Sequence, residues 1–230
     1  MKIEKGKCIY KNLFTSPDSI KDWIMEGEAI TEFTEEGILL KNKLDPILCG
    51  DSAHWVFWCP EDFDDKIIIE WDFMPKSDEG LCMLFFSAKG RNGESIFSKT
   101  LPERHGIYPE YHSGAINALH LSYYRRKYSS ERMFNTCNLR KSYGFNLVKM
   151  AADPIPSVEN VIKPYHIKLI KYKEIVQFYI NNLLVLDWKD NGQEFGKILE
   201  DGKIGFRQMA PMEAIYSNLV VYEAILREVE

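Results

Sequence analysis

YHIKLIKYKEIVQFYINNLLVLDW, residues 165–188, is the stretch whose reading decides the fold class. Its strands alternate apolar and polar residues with the period of two expected of a half-buried strand, and Lys173-Glu174 supplies the turn of a hairpin. A second bend falls at Asn181-Asn182, a residue type that tolerates the left-handed backbone of tight turns. Gly202-Lys203-Ile204-Gly205-Phe206 and a last strand carrying YSNLVVYE, residues 216–223, follow. This end of the chain therefore reads as a succession of strands.

The same texture continues upstream. ITEF, GILLKN, HWVFW, KIIIEWDF, LCMLFFSA, INALHLSYYRR, MFNTCNLRK and FNLVKM are short β-rich runs set apart by Gly, Pro, Asn and Asp. About a dozen strands with turns between them indicate an all-β, two-sheet antiparallel sandwich. A parallel α/β sheet would need helices of about ten or more residues between its strands. The sequence offers only SPDSIKDW at 16–23, where a capping serine precedes proline and acids, and PSVENV around Ser157, so one or two short helices are expected. No repeat or linker divides the 230 residues, which predicts a single domain over 1–230. Trp55, Phe57, Trp71, Phe85 and Phe86 alternate within their strands and read as core. The longest irregular segment, 89–113, is rich in Gly, Pro, Arg and His and is the candidate functional loop.

Composition narrows the class. With 45% hydrophobic and 27% charged residues the chain is of soluble globular type. Its net charge is −5, and basic residues are scattered apart from Arg125-Arg126 and Arg140-Lys141, so no nucleic-acid partner is expected. Charges interrupt every apolar run of the opening MKIEKGKCIYKNLF, and no window has the length of a membrane span; a cytoplasmic protein with no membrane partner is predicted. Cys8, Cys49, Cys59, Cys82 and Cys137 are odd in number and form no CxxC pair, so they read as buried reduced thiols. No metal and no cofactor are expected, and oligomeric state is left open.

HWVFWCPEDF, IIIEWDF, LFFSAKGRNGE, YHSGAINALHLSYYRR, TCNLRKSYGF, ADPIPSV and KIGFRQMAP together resemble the bacterial YesU-like family. The closing strands resemble those of concanavalin A-like jelly rolls, and the likeness runs from roughly Trp23 to Glu223. The resemblance implies a two-sheet jelly roll with a concave face. It also implies an association with the uptake and breakdown of pectic polysaccharides, notably rhamnogalacturonan. It brings no established catalytic residues.

One strand face is unusually polar. In INALHLSYYRR, His120, Ser122, Tyr124 and Arg126 share a face, with Leu119, Leu121 and Tyr123 opposite. In MFNTCNLRK, Thr136, Asn138 and Arg140 share a face, with Met133, Cys137 and Leu139 opposite. Two such rows on successive strands predict neighbours lining an open concave groove, joined by Arg207 or Gln208, with YPEYHSG at 108–114 as its lip. The row spans on the order of 20 Å, which suits a short oligosaccharide. Planar Asn, Gln and Arg groups bind pairs of hydroxyls, and guanidinium forks pair with carboxylates, so several arginines point to an acidic saccharide. The competing reading is a solvated sheet face that needs no ligand.

Two chemistries are open to these residues. Glu70 and Asp72 are similar to the paired acids of jelly-roll hydrolases, whose third acid is here Met74. β-Elimination from a uronate needs a carboxylate neutraliser, a base and an acid, which Arg140, His120 and Tyr124 supply in type. His120 and Tyr124 stand about 13 Å apart along a strand, so a cross-strand partner is required, with Tyr123, Tyr143, His112 and Lys141 the candidates. The substrate-binding set is His112, Asn138, Arg126, Lys141, Tyr143, Arg207, Gln208, Glu70 and Asp72. The expectation is a protein acting on pectin-derived acidic oligosaccharides, lyase favoured over hydrolase; the alternative is a noncatalytic sugar-binding protein.

Overall fold

The hairpin at 165–188 forms as three strands, β11 (Tyr165–Tyr172), β12 (Ile175–Ile180) and β13 (Leu183–Lys189), turning at Lys173 and at Asn181-Asn182. Lys173, Asn181 and Asn182 all take positive φ, between 47° and 66°, which is what tight turns between twisted strands demand. A computed structural model of the chain describes residues 2–126 and 135–228. Its other strands are β1 (Lys2–Asn12), β2 (Ile24–Gly27), β3 (Ala29–Thr34), β4 (Gly37–Asn42), β5 (Trp55–Phe63), β6 (Lys66–Pro75), β7 (Gly80–Gly90), β8 (Ile116–Arg126), β9 (Thr136–Ser142), β10 (Asn146–Ala152), β14 (Gly202–Met209) and β15 (Glu213–Arg227). The helices α1 (Pro46–Cys49) and α2 (Pro109–His112) are single turns.

All pairings are antiparallel, in two sheets that make a jelly-roll sandwich. One has eight strands in the order β13-β12-β11-β6-β15-β4-β3, with β1 also paired to β15. The other has seven in the order β10-β9-β8-β7-β14-β5-β2. Period-two alternation builds the core between them. Ile67, Ile69, Trp71 and Phe73 of β6 meet Trp55, Phe57 and Cys59 of β5, Leu84 and Phe86 of β7, and Leu119, Leu121 and Tyr123 of β8 in one buried cluster. At roughly 2 kcal/mol for each large side chain removed from water, this layer is the main source of stability.

The seven-stranded sheet is buried on its second face as well, over part of its width. Val56, Trp58, Phe85 and Ala118 point away from the core, and Ile96 and Tyr111 from the segment 91–115 close over them as a second apolar cluster. The loop expected to form a lip therefore lies across the outer face of this sheet and covers part of it. Phe85 is buried, but beneath this segment, while its neighbour Phe86 faces the other sheet.

Some local expectations are corrected. The helix read at 16–23 is a 3-10 turn over Pro17–Ile20. β1 was hidden in the sequence because its residues are largely exposed and charged; it is held by its ladder to β15. Cys59, Cys82 and Cys137 are buried free thiols, whereas Cys8 and Cys49 are exposed. Met133, placed at a strand start, lies outside the described residues. Among the described residues no helix is long and apolar enough to cross a membrane, and no group of three or more His, Cys, Asp or Glu is placed to hold a metal.

Candidate functional site

The two polar rows are neighbours. β8 and β9 pair with His120 opposite Arg140 and Ser122 opposite Asn138, on the face of the seven-stranded sheet that points away from the core. Directly opposite residues of such a pair have Cβ atoms about 4.5–5.5 Å apart, so these side chains form one surface.

The alternation on β8 then breaks. Tyr123 pairs with Cys82 and Arg126 with Gly80, three residues against two, so β8 carries one extra residue, and Tyr124 takes φ 49°. Tyr124 is thereby turned into the space between the sheets, edge-on to Phe73 at 5.9 Å, and its hydroxyl donates to Asp78 at 3.4 Å. Arg126 follows it, stacked on the Tyr124 ring at 3.8 Å and donating to the Ile155 carbonyl at 2.6 Å. Neither Tyr124 nor Arg126 is in the groove. Arg125 takes the outward place, donating to Thr136 Oγ1 at 2.9 Å and, with the Asn138 amide oriented to donate to the Cys137 carbonyl, to Asn138 Oδ1 at 2.9 Å.

His120 is on the expected face but is only 1% exposed. Its ring stacks on Phe85 at 5.1 Å, Nδ1 meets the Tyr108 hydroxyl at 3.3 Å, and Nε2 meets Ser142 Oγ at 3.5 Å. Burial, then the charges of Arg140, His112 and Arg207, hold its pKa well below the ordinary histidine value. Both nitrogens are engaged inside the protein. The base, acid and neutraliser read from the sequence thus do not converge: His120 is covered, Tyr124 is turned away, and Arg140 is left on the surface.

The covering segment is fastened by Glu26 of β2. Glu26 Oε1 accepts from Arg104 Nη2 at 2.5 Å, and Oε2 accepts from Arg104 Nε at 3.1 Å, Trp58 Nε1 at 2.9 Å and the Tyr111 hydroxyl at 2.9 Å. Beneath the segment lies Arg207, with 0% exposure; its Nη1 donates to the Gly106 carbonyl at 2.7 Å, and the Tyr108 and Tyr111 rings lie 4.9 and 5.2 Å from its guanidinium. Burial pushes the Tyr108 phenol up to about 12 against the opposing charges of Arg207, Arg140 and Arg125.

Other sequence-derived residues lie elsewhere. Gln208 faces the opposite sheet, its amide oriented to donate to the Leu40 and Met212 carbonyls and to accept from the Tyr216 hydroxyl. Lys141 is buried, donating to Asp190 at 2.6 Å and the Gly196 carbonyl at 2.8 Å. Tyr123 belongs to the core between the sheets. Glu70 and Asp72 are on the eight-stranded sheet, facing away from the core: Glu70 binds Lys5 at 2.6 Å, and Asp72 binds His166 at 2.9 Å and Asn218 at 2.7 Å. They belong to the far side of the sandwich from His120. Tyr143 is exposed, with the Arg91 guanidinium 4.0 Å above its ring.

What stays accessible is a cationic, aromatic patch at the β8–β9 end of the sheet. The Arg140 guanidinium lies 3.9 Å from the Phe145 ring and its Nη1 donates to the Phe145 carbonyl at 3.0 Å. Among the described residues Arg140 has no carboxylate partner, and desolvation lowers its pKa. Half-buried His112 lies against Phe145 at 4.3 Å, and Tyr108 packs edge-on to the same ring at 5.3 Å. Asn138 and Ser122 form the floor, both nearly buried. Tyr108, Arg125 and Phe145 were not singled out from the sequence. Tyr108 stood inside the expected lip, Phe145 in the turn after β9, and Arg125 was out of phase until the extra residue brought it outward.

Comparison with known proteins places the chain. A family model described as a domain of unknown function (DUF1961) matches residues 7–221. The uncharacterized protein YesU of Bacillus subtilis (strain 168) is 52% identical over 224 residues, 97% of this chain and 99% of YesU. The crystal structure of a protein of unknown function with galectin-like fold from Bacillus subtilis gives a TM-score of 0.94 at 52% identity, covering 98% of this chain and 100% of that one. The carbohydrate-binding module CBM66 from Bacillus subtilis gives a TM-score of 0.53 at 13% identity, over 88% of this chain and 96% of the module, a likeness of fold alone. With a family match and a half-identical relative that both run nearly end to end, the chain belongs to the DUF1961, YesU-like family.

Proposed function

We propose that this protein binds acidic, pectin-derived oligosaccharides, of rhamnogalacturonan type, at the patch formed by Arg140, Arg125, Tyr108, His112 and Phe145, and that it does so without cleaving them. The observation that carries this reading is Arg140, a half-buried guanidinium with no carboxylate partner among the described residues, set against an exposed aromatic ring. A guanidinium fork suits a uronate carboxylate, and the rings of Phe145 and Tyr108 suit the apolar face of a sugar. The carbohydrate-binding module that shares the fold supports the ligand class by analogy of architecture. Binding is preferred to lyase chemistry because the residues supplying a base and an acid are covered or turned inward.

Calorimetric titration with saturated and unsaturated rhamnogalacturonan oligosaccharides, followed by assays of the recovered sugars for new double bonds and new reducing ends, tests the proposal. Heat of binding with unchanged sugars is the expected result. Cleavage of either kind would replace the binding reading with an enzymatic one, and an absence of heat with every acidic oligosaccharide would sink the ligand class.

A further inference from the structure

Arg207 is fully buried on β14, yet its guanidinium is only partly used. Nη1 donates to the Gly106 carbonyl, while Nε and Nη2 have no hydrogen-bond partner among the described residues. Those two nitrogens make the parallel edge with which a guanidinium grips a carboxylate through two hydrogen bonds. A buried cation with two unmet donors is costly to a fold, and such groups in native proteins call for an explanation of their own. The phenols of Tyr111 and Tyr108 and the carboxylates of Asp51 and Glu110 act on its charge, yet none of them hydrogen-bonds the Nε and Nη2 edge.

The segment over Arg207 is pinned on both sides of Tyr108. Before it, Arg104 is held by Glu26, and the Glu110 carboxylate accepts from the backbone of His105 and Ile107; after it, Tyr111 is held by Glu26. Tyr108 itself makes a long hydroxyl contact of 3.3 Å with His120. Of the two rings against Arg207, that of Tyr111 is pinned by Glu26, so Tyr108 is the one whose rotation would open the free edge. The geometry points to the Nε and Nη2 edge of Arg207 as a carboxylate-binding subsite beneath Tyr108, which takes the carboxylate of a second uronate of the oligosaccharide, separate from the one recognised by Arg140. The uronate identity rests on the saccharide reading above; the preference of the edge for a carboxylate does not.

The Arg207 Nε–H resonance of the full chain, uniformly labelled with nitrogen-15, reads this directly. It is assigned by its loss in Arg207→Lys, or by through-bond connectivity if that variant does not fold. Titration with acetate and with D-galacturonate is expected to shift the resonance saturably, and D-galactose to leave it unmoved. Tyr108→Ala, which removes the cover, is expected to tighten acetate binding by about tenfold; an unchanged acetate affinity would overturn the role of Tyr108. A resonance that stays fixed while calorimetry still shows Arg140-dependent oligosaccharide binding would overturn the subsite and leave the binding proposal standing. A response to acetate with no binding of any acidic sugar would overturn the uronate assignment together with the saccharide reading.

Discussion

Arg140 is the residue on which the accessible patch turns, and its test separates charge recognition from shape. A hydrogen-bonded charged contact is worth about 1.5–3 kcal/mol, so Arg140→Ala is expected to weaken binding of an acidic oligosaccharide by roughly tenfold to a hundredfold in calorimetry. Binding of a neutral analogue should change little; equal losses for both would remove the carboxylate from the argument. His120 answers a different question. Its folded pKa is depressed, so the unfolded chain takes up a proton that the folded chain refuses as pH drops below the unfolded value of about 6.5, at a cost near 1.4 kcal/mol for each pH unit. Stability from this group is complete above that pH and is lost below it. His166 has the opposite sign, since Glu70 and then Asp72 raise its pKa, but it is common to both proteins when wild type is compared with His120→Gln. Urea midpoints at pH 7 and pH 5.5 should fall less for His120→Gln than for wild type. The neighbourhood of His120 and Arg140 was legible in alternation alone; the burial of His120 was not, because the residues that cover it come from a loop with no periodicity.

Two elements carry the geometry around that patch. The segment 91–115 is fixed to the sheet through Glu26, whose carboxylate is nine-tenths buried with Arg104. Glu26→Ala leaves Arg104 without its counter-charge, and breaking a buried pair costs about 3–5 kcal/mol. The expected outcome is a loss of that size in urea unfolding, with faster proteolytic cleavage between residues 91 and 107. β9 is the second, because its two faces divide its charged residues between the accessible patch and the framework. Lys141 points inward to Asp190, so Lys141→Met should destabilise the fold by about 3–5 kcal/mol through the stranded carboxylate. It should leave saccharide affinity within about twofold, a range expected for a site whose contacts are untouched. A large loss of affinity at unchanged stability would return Lys141 to the binding set. The sequence showed Arg140 and Lys141 side by side, and alternation already set Arg140 on the open face and Lys141 on the other; what it could not show was that Asp190, far along the chain, waits there to hold Lys141.

Across the whole molecule, the acids of the eight-stranded sheet's outer face are engaged with their own neighbours and not with the patch. Glu70 and Asp72 belong to an ionic cluster with Lys5, His166 and Asn218 on the side away from the patch. The double variant Glu70→Gln with Asp72→Asn is expected to leave oligosaccharide affinity within about twofold, since distant sites behave independently; a tenfold loss in calorimetry would mean that the two faces communicate. The sandwich itself was legible because residues such as Ile67, Ile69, Trp71 and Phe73 keep an unbroken period of two, and the turn residues at 173 and 181–182 mark its hairpins. The site was half legible, since the alternation that finds a face assumes a strand of constant phase. At Tyr124 the phase slips by one residue. A relative lacking that single extra residue would still carry an arginine outward at the height of Arg125, with one aromatic fewer between the sheets. The bulge thus lets a strand gain or lose one codon without changing what it presents outward beyond that point, whereas comparisons made column by column with no gap there would match side chains that look in opposite directions.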